Sequence, residues 1–123
     1  MQYEEMTEQI IGCAYRVSGK MAFGFLKSVY ENCIEIELIK AGSAVKSKEP
    51  IKVFHEGEIV GEFVADLVVE DTVIVELKSI RREVKAHETQ LVYYLVAIKI
   101  DVGLILNFGE RKVEVKRKVR TLS

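Results

Sequence analysis

Asp66, Glu76 and Lys78 are charges set inside otherwise apolar runs of Val, Ile and Leu, a placement that needs a reason. Desolvating a lone charge costs on the order of several kcal/mol, so charges in such runs pair, hold metal or act. The runs, residues 63–69 and 73–80, read as two strands covered on both faces and joined by a polar turn at Glu70-Asp71-Thr72. Side chains alternate along a strand, so Glu76 and Lys78 point the same way. The turn decides where Asp66 points. A two-residue loop pairs Val69 with Thr72 and turns Asp66 away from Glu76. A three-residue loop pairs Val69 with Val73 and sets Asp66 opposite Glu76, with Cβ atoms about 5 Å apart. Carboxylates that close repel unless a cation lies between them. Lys78 supplies one positive charge, and a divalent metal suits two carboxylates because hard cations take oxygen ligands. The spacing alone leaves open both a metal site and a buried Asp–Lys–Glu cluster with no chemistry.

The elements that must position these residues follow from periodicity. Met6, Ile10, Cys13, Ala14 and Val17 recur at helical spacing over residues 4–18, and Ser18-Gly19 ends that helix. A second helix covers residues 25–40, with Leu26, Val29, Tyr30, Cys33 and Ile34 on one stripe and Ala41-Gly42 as its stop. A polar line, Lys27, Glu31 and Glu35, runs along it at steps of four; as a solvated face it would give only about 0.3 kcal/mol per ion pair. Residues 44–48 form a short strand, and Pro50 starts the next, where its missing N–H is tolerated. Residues 51–55 and 58–69 make a hairpin around Glu56-Gly57, with His55 exposed beside the turn. Residues 84–98 form a third helix whose apolar face uses Val84, Leu91, Leu95 and Ile98; His87, Gln90 and Tyr94 lie on an adjacent stripe. A buried strand at 101–108 and an alternating strand at 112–120 complete the chain. In the last strand Lys112, Glu114, Lys116, Lys118 and Arg120 share a face; with Arg111 and Arg117 they make the chain's basic run. It suits the solubilising face of an edge strand first, with phosphate contact as the alternative. The fold class is α/β in the broad sense, an α+β mixed sheet flanked by helices, with the third helix as a right-handed crossover between parallel neighbours.

The bulk properties set wide bounds. A length of 123 residues suits a single domain, 1–123, with a real core. Hydrophobic residues make up 49% and charged residues 30%, the composition of a soluble globular protein. The net charge of −1 gives no overall pull on nucleic acid, so any such attraction is local. Acids stand in the first ten residues where a signal peptide carries positive charge, and no apolar run is long enough to span a bilayer. Cys13 and Cys33 lie in helical patterns without CxxC spacing, as reduced core thiols of a cytoplasmic protein do.

Asp66, nine intervening residues, then Glu76-Leu77-Lys78 resembles the D…ExK signature of the PD-(D/E)XK nuclease superfamily, and the element order resembles its αβββαβ core. Over nearly its full length the chain is similar to the small GxxExxY protein family of that superfamily. The matching stretches are residues 24–30 with Glu31 and Cys33, then 65–71, 73–78, 87–95 and 104–109. The resemblance implies a metal-dependent nuclease acting on DNA or RNA, with Mg²⁺ or Mn²⁺ as cofactor. Asp66 and Glu76 would be ligands, the Leu77 carbonyl a third, Lys78 the residue that orients or activates water, and Gln90 an added polar residue of the catalytic set. Lys27, Glu31, His87 and Tyr94 would be accessory. Lys112, Lys116, Lys118 and Arg120 would hold flanking phosphates. Homo-oligomers are compatible with all of this. The chain departs from the family pattern where Lys27 replaces the named Glu, Ala22-Phe23 a Gly-Pro pair, Ser18 a His and Val64 an Arg. Those departures also allow a weak or inactive nuclease-fold module that binds nucleic acid or a protein.

Overall fold

The computed structural model describes residues 2–81, 85–109 and 112–120. Helices α1 (Gln2–Lys20) and α2 (Lys27–Lys40) come first, then β1 (Val45–His55), β2 (Glu58–Val69) and β3 (Val73–Lys78). Helix α3 (Lys85–Ile98) leads to β4 (Val102–Asn107) and β5 (Glu114–Val119). The strands form one sheet in the order β1-β2-β3-β4-β5. Pairing is antiparallel except between β3 and β4, which are parallel, as the α3 crossover requires.

Two apolar layers cover the sheet. On one face Ile10, Cys13 and Ala14 of α1 and Tyr30, Ile34 and Leu38 of α2 meet Leu67, Val69, Val73, Val75, Leu77, Leu104 and Leu106. On the other, Leu91, Tyr94 and Leu95 of α3 cover Val68, Ile74 and Ile105. Both faces of β3 and β4 are thus buried, which is why their sequences read as unbroken apolar runs. Cys13 is buried, Cys33 half-buried, and both are free thiols.

Several boundaries differ from expectation. The segment around Pro50 is one continuous strand rather than two. Pro50 pairs with Val64 inside β1, an edge strand, where a missing N–H breaks no second ladder. Helix α1 runs on to Lys20 because nothing in Ser18-Gly19 forbids two more helical residues. Leu26 is the residue before α2 and is 77% exposed, so it lies off the core stripe. Phe63 and Val64 are also exposed, because this part of β2 pairs only with β1 and projects beyond β3. Val84 and Arg111 lie outside the described residues.

Candidate active site where two central strands part

The turn at residues 70–72 takes the three-residue register: Val69 pairs with Val73, Val68 with Ile74 and Leu67 with Val75. Glu70 and Asp71 both have positive φ, 53° and 55°, and Thr72 N–H donates to the Val69 carbonyl at 3.0 Å. Asp66 is therefore next in line opposite Glu76, and there the ladder stops. The Leu77 N–H donates to Asp66 Oδ2 at 2.8 Å, and the Asp66 N–H reaches Glu76 Oε1 at 3.4 Å. Side-chain carboxylates take the place of backbone carbonyls, so β2 and β3 separate around the acid pair.

The β1–β2 ladder also skips this point: it passes from Ser47–Leu67 to Glu49–Ala65, with Lys48 at a φ of 53°. Alternation changes phase here. Val68 and Ala65, three residues apart, both belong to the α3-side core, whereas Leu67 belongs to the other. Asp66 sits at the crossover between the faces, within reach of groups from α2 and from β3.

Asp66 and Glu76 are each 8% exposed. Burial pushes Glu76 up, the neighbouring Asp66 charge adds to it, and its pKa reaches about 8. Burial pushes Asp66 up too, but the hydrogen bonds from Lys27 and the Leu77 N–H outweigh it and hold that carboxyl below the usual range. At neutral pH the pair therefore keeps one proton on Glu76 and one charge on Asp66. Lys27, the first residue of α2, matches that charge: its Nζ is 2.8 Å from Asp66 Oδ1.

The other expected residues gather unevenly. Lys78 shares the Glu76 face of β3, and its charge, after burial, lowers the His87 pKa. His87 Nδ1 is buried without a hydrogen-bond partner among the described residues. Tyr94 is buried against the Phe63 ring, centroids 4.9 Å apart; burial first, then the charges of Glu76 and Asp66, raise its pKa. Glu31 is buried and bound to Lys48 Nζ at 2.7 Å. Gln90 is exposed on the α3 side and makes no hydrogen bond to either carboxylate among the described residues. In the basic strand Lys118 pairs with Glu88, Arg120 with Asp101 at 2.7 Å, and Lys112 lies over the Tyr15 ring; Lys116 is exposed.

Two supporting features escaped sequence reasoning. Asn107 Oδ1 accepts from the Ile80 and Gly109 N–H groups, and its Nδ2 donates to the Ile80 carbonyl. This clasp fixes the chain as it leaves β3 just beyond Lys78. A polar residue at the end of an apolar strand was its visible signal. Arg81 lines a groove with Lys27 and Lys78, and only the fold brings it there.

The donor set suits a hard divalent cation: two adjacent carboxylate groups whose mutual repulsion such an ion relieves. Lys27 already satisfies one of their oxygens. Among the described residues no cluster of three or more His, Cys, Asp or Glu side chains could hold a metal, so further ligands would be main-chain oxygen, water or phosphate.

Sequence comparison identifies the superfamily. A sequence model described as the PD-(D/E)XK nuclease superfamily matches residues 4–118, and the chain belongs to that superfamily. Its mixed sheet flanked by helices is the fold of the class. A crystal structure of SSO0001 is similar, with a TM-score of 0.62 at 14% identity over 78% of this chain. The matched region spans half the length of the SSO0001 chain, and at that identity the likeness concerns the fold alone. No curated protein matches the sequence. No helix among the described residues is long and apolar enough to cross a membrane.

Proposed function

We propose that the chain is a metal-dependent nuclease of the GxxExxY family, hydrolysing phosphodiester bonds in nucleic acid. The observation that carries the reading is the meeting of Asp66 and Glu76 where β2 and β3 part, with the Glu76 pKa at about 8. Buried acid pairs with strongly displaced pKa values are typical of functional sites. Asp66, Glu76 and the Leu77 carbonyl would hold Mg²⁺ or Mn²⁺. When bound, such an ion supplies Lewis acidity and lowers the pKa of a coordinated water.

The protein groups do the rest. To hold the ion Glu76 would release its proton to solvent, and Lys27 would leave Asp66. Lys78, on the Glu76 face, orients the attacking water and offers positive charge where the phosphate gains negative charge. Burial, then the Lys78 charge, lowers the His87 pKa, and its buried Nδ1, without a partner among the described residues, is available for a hydrogen bond.

One observation favours a second reading, a nuclease-fold module that binds without turnover. The Lys27–Asp66 bond places an ammonium where an ion would bind. A cleavage panel decides: single-stranded, duplex and branched DNA, and RNA, each with Mg²⁺ and with Mn²⁺. Glu76→Ala should abolish metal binding and cleavage together, whereas Lys78→Ala should retain metal binding and slow cleavage. Cleavage that persists in Glu76→Ala would place the chemistry elsewhere, and binding without any cleavage selects the second reading.

A further inference from the structure

Two grooves are linked to the carboxylate pair, and their linings differ in kind. One, of about 460 Å³, runs from the loop before α2 to the end of β3. Among the described residues its charged lining is Lys27, Lys78 and Arg81, with no carboxylate. The other, of about 550 Å³, lies between α3 and the projecting β1–β2 hairpin. Its wall carries the Phe63 and Tyr93 rings, 40% and 63% exposed, beside the exposed polar side chains of Thr89 and Gln90. Asp66 and Glu76 line neither groove, and each groove is linked to them through a lining residue. Lys27 reaches Asp66 from the cationic side. On the aromatic side Tyr94 packs on Phe63 while its hydroxyl feels the charges of Glu76 and Asp66.

We infer that the two grooves receive one single-stranded nucleic-acid chain. Its phosphates follow Lys27, Lys78 and Arg81, and a base next to the phosphate at Asp66–Glu76 stacks on Phe63 and Tyr93. The inference rests on the nuclease reading and adds the substrate class. A cationic groove and an exposed aromatic platform linked to one site match the alternation of phosphate and base along a strand, and stacking on side-chain rings needs no particular sequence. In a duplex the bases are already stacked and paired, so reaching the aromatic groove would first require unstacking. Gln90 and Thr89 supply donors and acceptors for the edge of the inserted base.

The test uses the full chain and fluorescein-labelled oligothymidylate, compared by anisotropy in Ca²⁺ buffer with its duplex and with an abasic strand of equal length. Oligothymidylate should bind about fivefold or more tightly than either competitor, since each stacked base carries at least that much. Tyr93→Ala and Phe63→Ala should each weaken it about fivefold and leave abasic binding unchanged. Tyr93 is largely exposed, so its variant keeps the fold, which circular dichroism checks. A 4-thiothymidine strand should crosslink to Tyr93 or Phe63. Equal affinity for abasic and base-bearing strands, or a crosslink confined to the basic β5 strand, overturns the inference. Absence of metal-dependent cleavage with base-dependent binding intact overturns the nuclease reading instead.

Discussion

Lys27 should act as a tethered competitor of the metal ion. Its Nζ lies 2.8 Å from Asp66 Oδ1, with side chains 42% and 11% exposed. Two unit charges at that distance attract by about 6 kcal/mol at an effective dielectric near 20, and by about 1.5 kcal/mol in bulk water. The exposure of Lys27 puts the net value near the lower figure, and the entropy of fixing a long side chain reduces it further. An arriving cation must forgo about 1–1.5 kcal/mol, which is roughly five- to twelvefold in affinity. Lys27→Gln should therefore tighten Mg²⁺ binding by that factor. Lys27→Glu should tighten it further by adding an acid. Isothermal titration of wild type and both variants measures it directly. Superimposable isotherms would show that Lys27 leaves Asp66 at no cost, and the competition argument would fail.

Other consequences are as direct. Because Glu76 holds a proton up to about pH 8, metal binding at neutral pH should release close to one proton, seen as a buffer-dependent heat, and affinity should rise with pH until about 8. Without metal, the raised Glu76 pKa contributes stability that is fully present below about pH 4.5 and is lost as pH rises through about 8; Glu76→Gln should flatten that slope in denaturation curves. Asn107→Ala should cost about 2–4 kcal/mol, since it strips partners from the Ile80 N–H and carbonyl, and a urea titration giving less than about 1 kcal/mol would contradict the clasp. Gly109→Ala should be worse tolerated than any other glycine change, because its Cβ would lie 1.7 Å from the Ile80 carbonyl oxygen; an unchanged melting temperature would refute that contact. Removing the Lys48 ammonium in Lys48→Ala leaves the buried Glu31 without its salt-bridge partner, so the variant should unfold at lower urea than wild type.

Apart from a false break at Pro50, the sequence by itself determined the element order, the parallel β3–β4 pair and the charges set inside apolar runs. Unbroken apolar runs declare central strands, and acids inside such runs stand out because burial makes them costly. It could not decide the register between Asp66 and Glu76, since two loop lengths fit the same letters. Backbone conformation resolved that, through two successive residues of positive φ at Glu70 and Asp71. Nor could strand periodicity show that alternation changes phase at Asp66, because a break in one ladder depends on its neighbours. Partner choice was equally hidden. On α2, Lys27 and Glu31 read as one polar stripe, yet Lys27 reaches Asp66 of β2 and Glu31 takes Lys48 of β1. The proton on Glu76 belongs to this second class of fact. A carboxylate's pKa depends on burial and on the charge beside it, and only packing sets either one.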